Sequence, residues 1–469
     1  MALSVFLRRC CVRGEQELRR HLCSAATARD SDNADIVIAG GGMVGASMAC
    51  SLAYNDCFAD KRIVLLESAP DKGDFKLPER YSNRTCALNP STATLLSTFG
   101  AWQEIEQMRC QPVRRMQVWD SCSDSMIAFS QEDMTEPLAH IVENDVILGA
   151  IMRCLRKAPN KVDVRFQASA KAYHIPSVAE DGESTKHPFV RVELQDGQLL
   201  DTKLLIGADG AQSGVRSAAK LHSLSWSYRQ SAVVATLKLA DATDNTVAWQ
   251  RFLPTGPIAF LPLSDEFSSL VWTTTPDEAK HLLQIPEESF VDAVNDAVWH
   301  DRDKNEFADK AIDAVTTFLQ NIVPGGTAIR QLPPTVIGVE EKSRASFPLQ
   351  LVHASHYVRP RVALIGDAAH RLHPLAGQGV NLGFGDVECL TQVLEQAVFS
   401  GSDLGSLNHL LTYETERQRH NLPVLATIDG LQRLYSTDFT PVVMLRSIGL
   451  STVNSLTMLK KFIIQRASA

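Results

Sequence analysis

Six residues, Gly40 to Gly45 in the order Gly-Gly-Gly-Met-Val-Gly, restrict this chain more than any other stretch. An apolar run, Asp35 to Ala39, enters them as a strand, and an apolar segment to about Tyr54 leaves them as a helix. A second run, Arg62 to Leu66, ends at Glu67, 22 residues beyond Gly45. Strand, G-x-G-x-x-G, helix, strand and terminal acid make a βαβ unit whose parts have separate jobs. Gly40 permits the tight turn, Gly42 lets a pyrophosphate approach the backbone, and Gly45 lets helix and strand pack closely. Glu67 is placed to accept hydrogen bonds from ribose hydroxyls. An acid at this point suits an adenosine with a free 2′-hydroxyl, which favours NAD or FAD over NADP.

A second informative stretch lies far downstream. Val362 to Ile365 reads as a buried strand that ends at Gly366-Asp367; the chain then passes His370, His373 and Pro374 into Gly377-Gln378-Gly379-Val380-Asn381. An apolar-periodic helix, Val380 to Val398, comes next. A carboxylate at a strand end accepts bonds from sugar-like hydroxyls, and glycines at a helix start let backbone N–H groups and the positive helix end reach an anion. A third stretch, Leu204 to Arg216, repeats the pattern: a strand ends at Asp209-Gly210, and Ser213 caps a short helix carrying Arg216. No second G-x-G-x-x-G is present for a nicotinamide domain, so one large cofactor touched at three places is expected.

Between these stretches lie a polar loop (Pro70 to Asn83), Arg84 ahead of a short strand, and a helix from Pro90 to Phe99. Arg84 is equally readable as surface charge or as a phosphate or ribityl clamp. Met116 to Trp119 and Met126 to Phe129 read as strands, and Asn144-Asp145 caps a helix from Val146 to Arg156. Residues 177–188 read as a mobile insertion. Four successive strands occupy Ser231 to Thr275 without helices, an antiparallel layer. Its Trp249, Phe252, Phe260, Leu261 and Trp272 suit either a core or an apolar cavity. A single helix is expected over 277–300. The tail from Asp403 is mostly helical, with Tyr413-Glu-Thr-Glu-Arg-Gln-Arg419 as a solvated charged face, and with apolar stripes at 441–445 and 462–464 that dock on the body.

Net charge of −8 with no basic block in the body argues against nucleic acid. No apolar run approaches the ~18–20 residues of a membrane-spanning helix. None of the ten cysteines forms a C-x-x-C pair, so they read as reduced thiols without structural zinc. The first 30 residues hold six arginines and no lysine behind a short apolar patch, the character of a mitochondrial transit peptide. Removing them leaves 40 basic against 51 acidic groups.

Taken together, G-x-G-x-x-G, Asp209-Gly210 and Gly366-Asp367 resemble the fingerprints of the single-component flavoprotein aromatic hydroxylases, over residues ~35–435. Tyr81-Ser-Asn-Arg84, Ile141-Val-Glu-Asn-Asp145, Gly207-Ala-Asp-Gly210, the run from Gly366 to Asn381, Trp249-Gln-Arg-Phe-Leu-Pro254 and Tyr413 to Arg419 resemble the mitochondrial branch of the coenzyme Q (ubiquinone) biosynthesis hydroxylases. The resemblance implies an α/β fold: an FAD-binding Rossmann-like (GR2-type) domain over 31–110, 140–225 and 345–400, an inserted antiparallel substrate domain over 111–139 and 226–344, and a helical C-terminal region over 401–469. It implies FAD held by Gly40, Gly42, Gly45, Glu67, Arg84, Asp209, Gly210, Gly366, Asp367, Pro374, Gly377, Gln378, Gly379, Val380 and Asn381. Chemistry would run through a flavin C4a-hydroperoxide, so no side chain is expected to act as a catalytic acid or base, and His370 and His373 are expected only to shape their turn. The implied reaction is hydroxylation of ring carbon 5 of a 3-polyprenyl-4-hydroxybenzoate by O2. Implied partners are ferredoxin and ferredoxin reductase as electron donors, a multi-enzyme coenzyme Q biosynthetic complex, and peripheral contact with the matrix face of the inner mitochondrial membrane. Two rivals remain: a flavin-dependent reductase of prenyl double bonds, and a non-enzymatic prenyl-binding protein such as the Rab GDP-dissociation inhibitors.

Overall fold

A computed structural model describes residues 32–123, 125–130, 137–176, 188–240, 244–300, 331–377 and 379–455. The arginine-rich leader, the 177–187 part of the expected insertion, Gln378 and the 462–464 stripe lie outside the described residues. The seven cysteines among the described residues are free thiols.

A sheet of parallel strands forms the first layer. Its strands run Val362–Leu364, Leu199–Gly207, Asp32–Ala39, Ile63–Leu66, Val162–Arg165, with an antiparallel hairpin, Ala170–His174 and Val190–Leu194, joined to Leu199–Gly207. Ile-Val-Ile-Ala, Ile-Val-Leu-Leu and Leu-Leu-Ile-Gly are continuous apolar runs because the sheet is covered on both faces, and their residues are buried. The register of these strands fixes where their turns lie. Ala39 pairs with Gly207 and with Leu66, and Gly207 pairs with Leu364. Four strands from distant parts of the chain therefore end abreast at one edge, and the turns after them point the same way.

The second sheet has nine strands in the order His370–Arg371, Ala345–Ala354, Ser223–Leu239, Phe267–Thr274, Gly256–Pro262, Val247–Leu253, Arg115–Asp120, Met126–Ser130, with Val336–Val339 beside Ser223–Leu239. All neighbours are antiparallel except Val247–Leu253 with Arg115–Asp120. Ala345–Ala354 and His370–Arg371, inside the segment expected to bind cofactor, are thus woven into this sheet. Alternation splits its aromatic residues. Trp249, Phe260 and Trp272 pack into a core with Leu282, Phe290 and Val294 of two helices, whereas Phe252 and Leu261 face the opposite way. A small third sheet, Thr85–Leu88, Ala139–Glu143 and Gln111–Val113, bridges the layers.

Three local expectations need correction. The helix expected over 277–300 is two, Pro276–Gln284 and Glu287–Trp299, because Pro286 has no N–H and forces Ile285 to an extended backbone. The helix Asn144–Lys157 begins two residues early, with Glu143 at its cap and no side-chain cap bond. The Glu143 carboxylate instead accepts from Ser82 N at 2.6 Å. The third correction is the charged run from Tyr413, which is solvated only in part: Thr415, Glu416 and Arg419 are exposed, whereas Tyr413, Glu414 and Arg417 are buried. Tyr413 is fully buried and donates to Leu364 O at 2.7 Å; Glu414 accepts from Tyr357 N and Val358 N at 2.6 and 3.1 Å. These residues fasten the helix Leu407–Tyr435 to the edge of the parallel sheet. The next helix, Thr440–Ser455, packs on Met126–Ser130 and is pinned by a buried pair, Arg446 Nε to Asp120 Oδ2 at 2.7 Å.

Candidate active site

The aligned strand ends open into one cavity of about 1200 Å³. Gly42 and Val44 from the first turn border it, Ala208 and Gly210 from the second, and Gly366, Asp367, Pro374, Gly377, Gly379, Val380 and Asn381 from the third. Three motifs separated by well over a hundred residues each thus share one chamber. Its other wall is the inward face of the nine-stranded sheet, read at every second residue: Met116 and Val118, Ile127 and Phe129, Pro257, Ala259 and Leu261. Leu431, Leu434, Leu450 and Val453 of the last two helices close it. Tyr435 stacks on Phe252 with ring centroids 3.8 Å apart.

The first turn has the geometry its glycines require. Gly40 adopts φ +107°, and a Cβ on Gly45 would run into the Gly40 carbonyl. Around a Cβ placed on Gly42 or Gly379 there is open space, so a ligand can touch the backbone at both helix starts. The helix Met43–Ala53 starts at Gly42 with no side-chain cap and no acid in its first turn. Its N–H groups and positive end are left for an anion. Glu67 Oε2 accepts from Gly41 N at 2.8 Å and Oε1 from Ala69 N at 2.7 Å, which fixes the carboxylate beside the glycine turn. Asp209 Oδ2 accepts from Val215 N at 3.1 Å, while its buried Oδ1 has no hydrogen-bond partner among the described residues. An orphaned buried carboxylate oxygen beside an open glycine cradle fits a polyhydroxylated, anionic cofactor.

At the third turn, half of the Asp367 side-chain surface is open to the chamber. Burial raises its pKa, while Arg371 and His370 pull the other way. Asn381 borders the cavity but spends its amide on structure: Nδ2 donates to Ala87 O at 2.8 Å, and Oδ1 accepts from Asn89 N and Thr92 Oγ1. Arg84 is exposed at the start of Thr85–Leu88, and neither it nor Glu67 borders the cavity. Burial pushes the Cys86 thiol in the chamber wall up to about 12, so it stays protonated and offers no nucleophile.

A buried charge network behind the third turn was missed by sequence reasoning. Asp386 Oδ2 accepts from Gly366 N at 2.9 Å and His370 Nε2 at 2.6 Å; Oδ1 accepts from Arg417 Nε at 2.8 Å. Burial alone would raise the Asp386 pKa, but His370 and Arg417 hold it near 2. The signal was a lone acid on the apolar face of the helix Gly379–Phe399, flanked by buried Phe384 and Val387. His373 is fully buried, edge-on to Tyr228 at 5.0 Å, and neither ring nitrogen has a hydrogen-bond partner among the described residues. Burial lowers its pKa to about 4, so it is neutral at physiological pH.

Comparison with known proteins agrees with this geometry. The family described as FAD binding domain matches residues 33–426. The ubiquinone biosynthesis monooxygenase COQ6, mitochondrial, of Xenopus tropicalis is 54% identical over 434 residues, covering 92% of this chain and 93% of that protein. The proteins of the same name from Homo sapiens and Drosophila melanogaster are 52% and 43% identical, over 92% and 93% of this chain and 92% and 90% of their own lengths. Among solved structures, p-nitrophenol 4-monooxygenase PnpA from Pseudomonas putida DLL-E4 superposes with a TM-score of 0.65 at 19% identity, covering 93% of this chain and 99% of that one. P. aeruginosa PqsL in complex with 2-aminobenzoylacetate does so at 0.64 and 19%, covering 89% and 99%. At that identity these two share the fold.

Proposed function

We propose a function from the premise that this chain belongs to the FAD binding domain family, and within it to the ubiquinone biosynthesis monooxygenases. It is an FAD-dependent monooxygenase of ubiquinone biosynthesis, acting on an aromatic substrate with O2. Its substrate is a 3-polyprenyl-4-hydroxybenzoate, and the oxygen enters at ring carbon 5. One observation carries this reading: the cofactor-type turns and the apolar sheet face border the same chamber, so a flavin ring and a greasy substrate meet in it.

Gly40, Gly42 and Gly45 would seat the pyrophosphate on the first helix start, and Glu67 would hold the adenosine ribose. Asp209, Gly210, Gly366 and Asp367 would take the pyrophosphate-to-ribityl segment, with Arg84 reaching it from its exposed position outside the cavity wall. Pro374, Gly377, Gln378, Gly379, Val380 and Asn381 would hold the ring end of the cofactor, and the helix N-terminus there would favour negative charge on it by ~1–2 kcal/mol. When bound, FAD supplies the activation of O2 and the oxygen atom that the substrate receives. The chain orients the ring and excludes water: Phe252, Leu261, Leu372 and Leu375 surround the reacting space with apolar surface. The prenyl tail runs between the nine-stranded sheet and the last two helices, along Val118, Ile127, Leu434 and Val453. The cofactor belongs to 31–110, 140–225 and 345–400, with Ala345–Ala354 on the substrate side of the division; the substrate belongs to 111–139 and 226–344, and in the 401–469 region the helices Leu407–Tyr435 and Thr440–Ser455 close the chamber.

The relatives are named mitochondrial, and among the described residues no helix is long and apolar enough to cross a membrane. We assign the protein to the matrix face of the inner membrane, peripherally attached within the coenzyme Q biosynthetic complex. Ferredoxin and its reductase deliver its electrons. The test supplies purified protein with prenylated 4-hydroxybenzoate under ¹⁸O2, with ferredoxin and its reductase or with NADPH alone. Ring-labelled product in the ferredoxin arm is expected; unlabelled product, or saturation of the prenyl chain, overturns the reading.

A further inference from the structure

Three charged side chains among the described residues stand in the wall of the chamber: Asp367, Arg371 and Arg446. Arg446 is fully committed. Its Nε and Nη2 donate to Asp120 at 2.7 and 3.0 Å, and its Nη1 donates to the carbonyls of Leu434 and Thr437 at 3.0 and 2.6 Å. Arg371 is not. Its nearest acid is Asp367, with Nε 3.9 Å from Oδ2, too long for a hydrogen bond. No hydrogen bond from its guanidinium is made among the described residues, and about a third of the side chain is open.

The backbone under Arg371 is rigid. His370–Arg371 pairs with Ala345–Ala354, placing Arg371 opposite Val352 at the end of the nine-stranded sheet. The neighbouring His370 ring is locked onto Asp386. A guanidinium presents a planar fork that matches a carboxylate bidentately, and the Asp367 carboxylate at 3.9 Å leaves that fork without a hydrogen-bonded partner. Apart from Asp367, no described residue that lines the chamber carries a negative charge. Asp367, the nearest anion, belongs with the cofactor's ribityl segment.

We propose that Arg371 binds the ring carboxylate of the substrate, so that it selects ring acids over the corresponding phenols. This rests on the proposed function. The carboxylate and the 4-hydroxyl lie at opposite ends of the ring, so clamping the former at the sheet edge fixes which ring carbons face the flavin side of the chamber. Arg371 is a positioning and specificity residue; it transfers no proton and forms no bond.

The experiment uses the FAD-loaded full chain, wild type, Arg371→Gln and Arg371→Lys, with two substrates: prenylated 4-hydroxybenzoate and the matching prenylated phenol without the carboxylate. For the acid, Arg371→Gln is expected to raise KM about 10- to 100-fold with kcat little changed, as for one charge-assisted contact. KM for the phenol stays as in wild type, and Arg371→Lys recovers part of the loss. Flavin absorbance per protein stays constant. Equal effects on both substrates overturn the proposal, and so does loss of FAD from Arg371→Gln, which would assign the guanidinium to the cofactor's phosphates. Wild-type protein that hydroxylates neither compound sinks the substrate class itself, a result distinct from equal turnover of both by wild type and variant.

Discussion

The two large sheets border the same chamber but use their residues in opposite ways. The parallel sheet is buried on both faces, so its chemistry is confined to the points where strands stop. Ala39, Leu66, Gly207 and Leu364 lie abreast, and Gly42, Glu67, Asp209 and Asp367 come within three residues of them. The nine-stranded sheet works through a face: every second residue of six strands contributes to the wall, and the residues between them form an ordinary core. A function gathered at strand ends concentrates in short stretches with fixed spacing. A function spread over a face leaves only alternation, which core and cavity share.

The strongest test strikes where the two systems meet. Asp386→Ala removes the shared acceptor of His370, Arg417 and Gly366 N–H and strands a buried guanidinium. The expected loss is about 3–5 kcal/mol in urea denaturation, together with a shifted flavin spectrum as the Gly366 turn relaxes. A loss below ~1 kcal/mol would mean that the turn stands without the network.

His373 comes next. Its pKa is depressed from 6.5 to about 4, so stability is fully present above pH 6.5 and declines as pH falls toward 4. Over that interval the unfolded chain takes up a proton that the folded chain refuses, worth about 3 kcal/mol. His373→Leu should flatten this part of the stability-against-pH curve, and an unchanged slope contradicts the assignment.

Asp367→Ala, on the strand-end side, should weaken FAD binding about 10- to 100-fold, or ~1.5–3 kcal/mol, by fluorescence titration. Unaltered affinity removes the ribityl role. The smallest effect is expected on the sheet face. Leu261→Ala should cost less than ~1 kcal/mol of stability yet raise KM for the prenylated substrate, because its side chain borders a cavity. A loss of about 2–5 kcal/mol, as for a core leucine, would erase the distinction between the two faces of this sheet.

Legibility in the sequence divides along the same line. The βαβ unit and the Gly366-Asp367 turn could be read because each part acts on a near neighbour: a glycine on its own turn, an acid on its own strand end. The split at Pro286 was also readable, since proline restricts the residue before it. The anchoring by Tyr413, Glu414 and Arg417 was not readable. Charges in a helix usually face water, and their partners, Leu364, Tyr357 and Asp386, are far away in sequence. For the same reason Trp272 and Leu261 could not be told apart until the sheet's two sides were known. Arg371 passed unnoticed between two histidines, since nothing in its neighbours says that its donors are unspent.

The alignment of Ala39, Gly207 and Leu364 also sets a timetable. The first strand finds Ile63–Leu66 early on one edge, but its other edge must wait for Leu199–Gly207, which in turn waits for Val362–Leu364. Until then apolar parallel edges stay uncovered, a slow and aggregation-exposed route. A nascent protein of this design therefore depends on being shielded, in the compartment where it matures, until Val362–Leu364 arrives to complete the row.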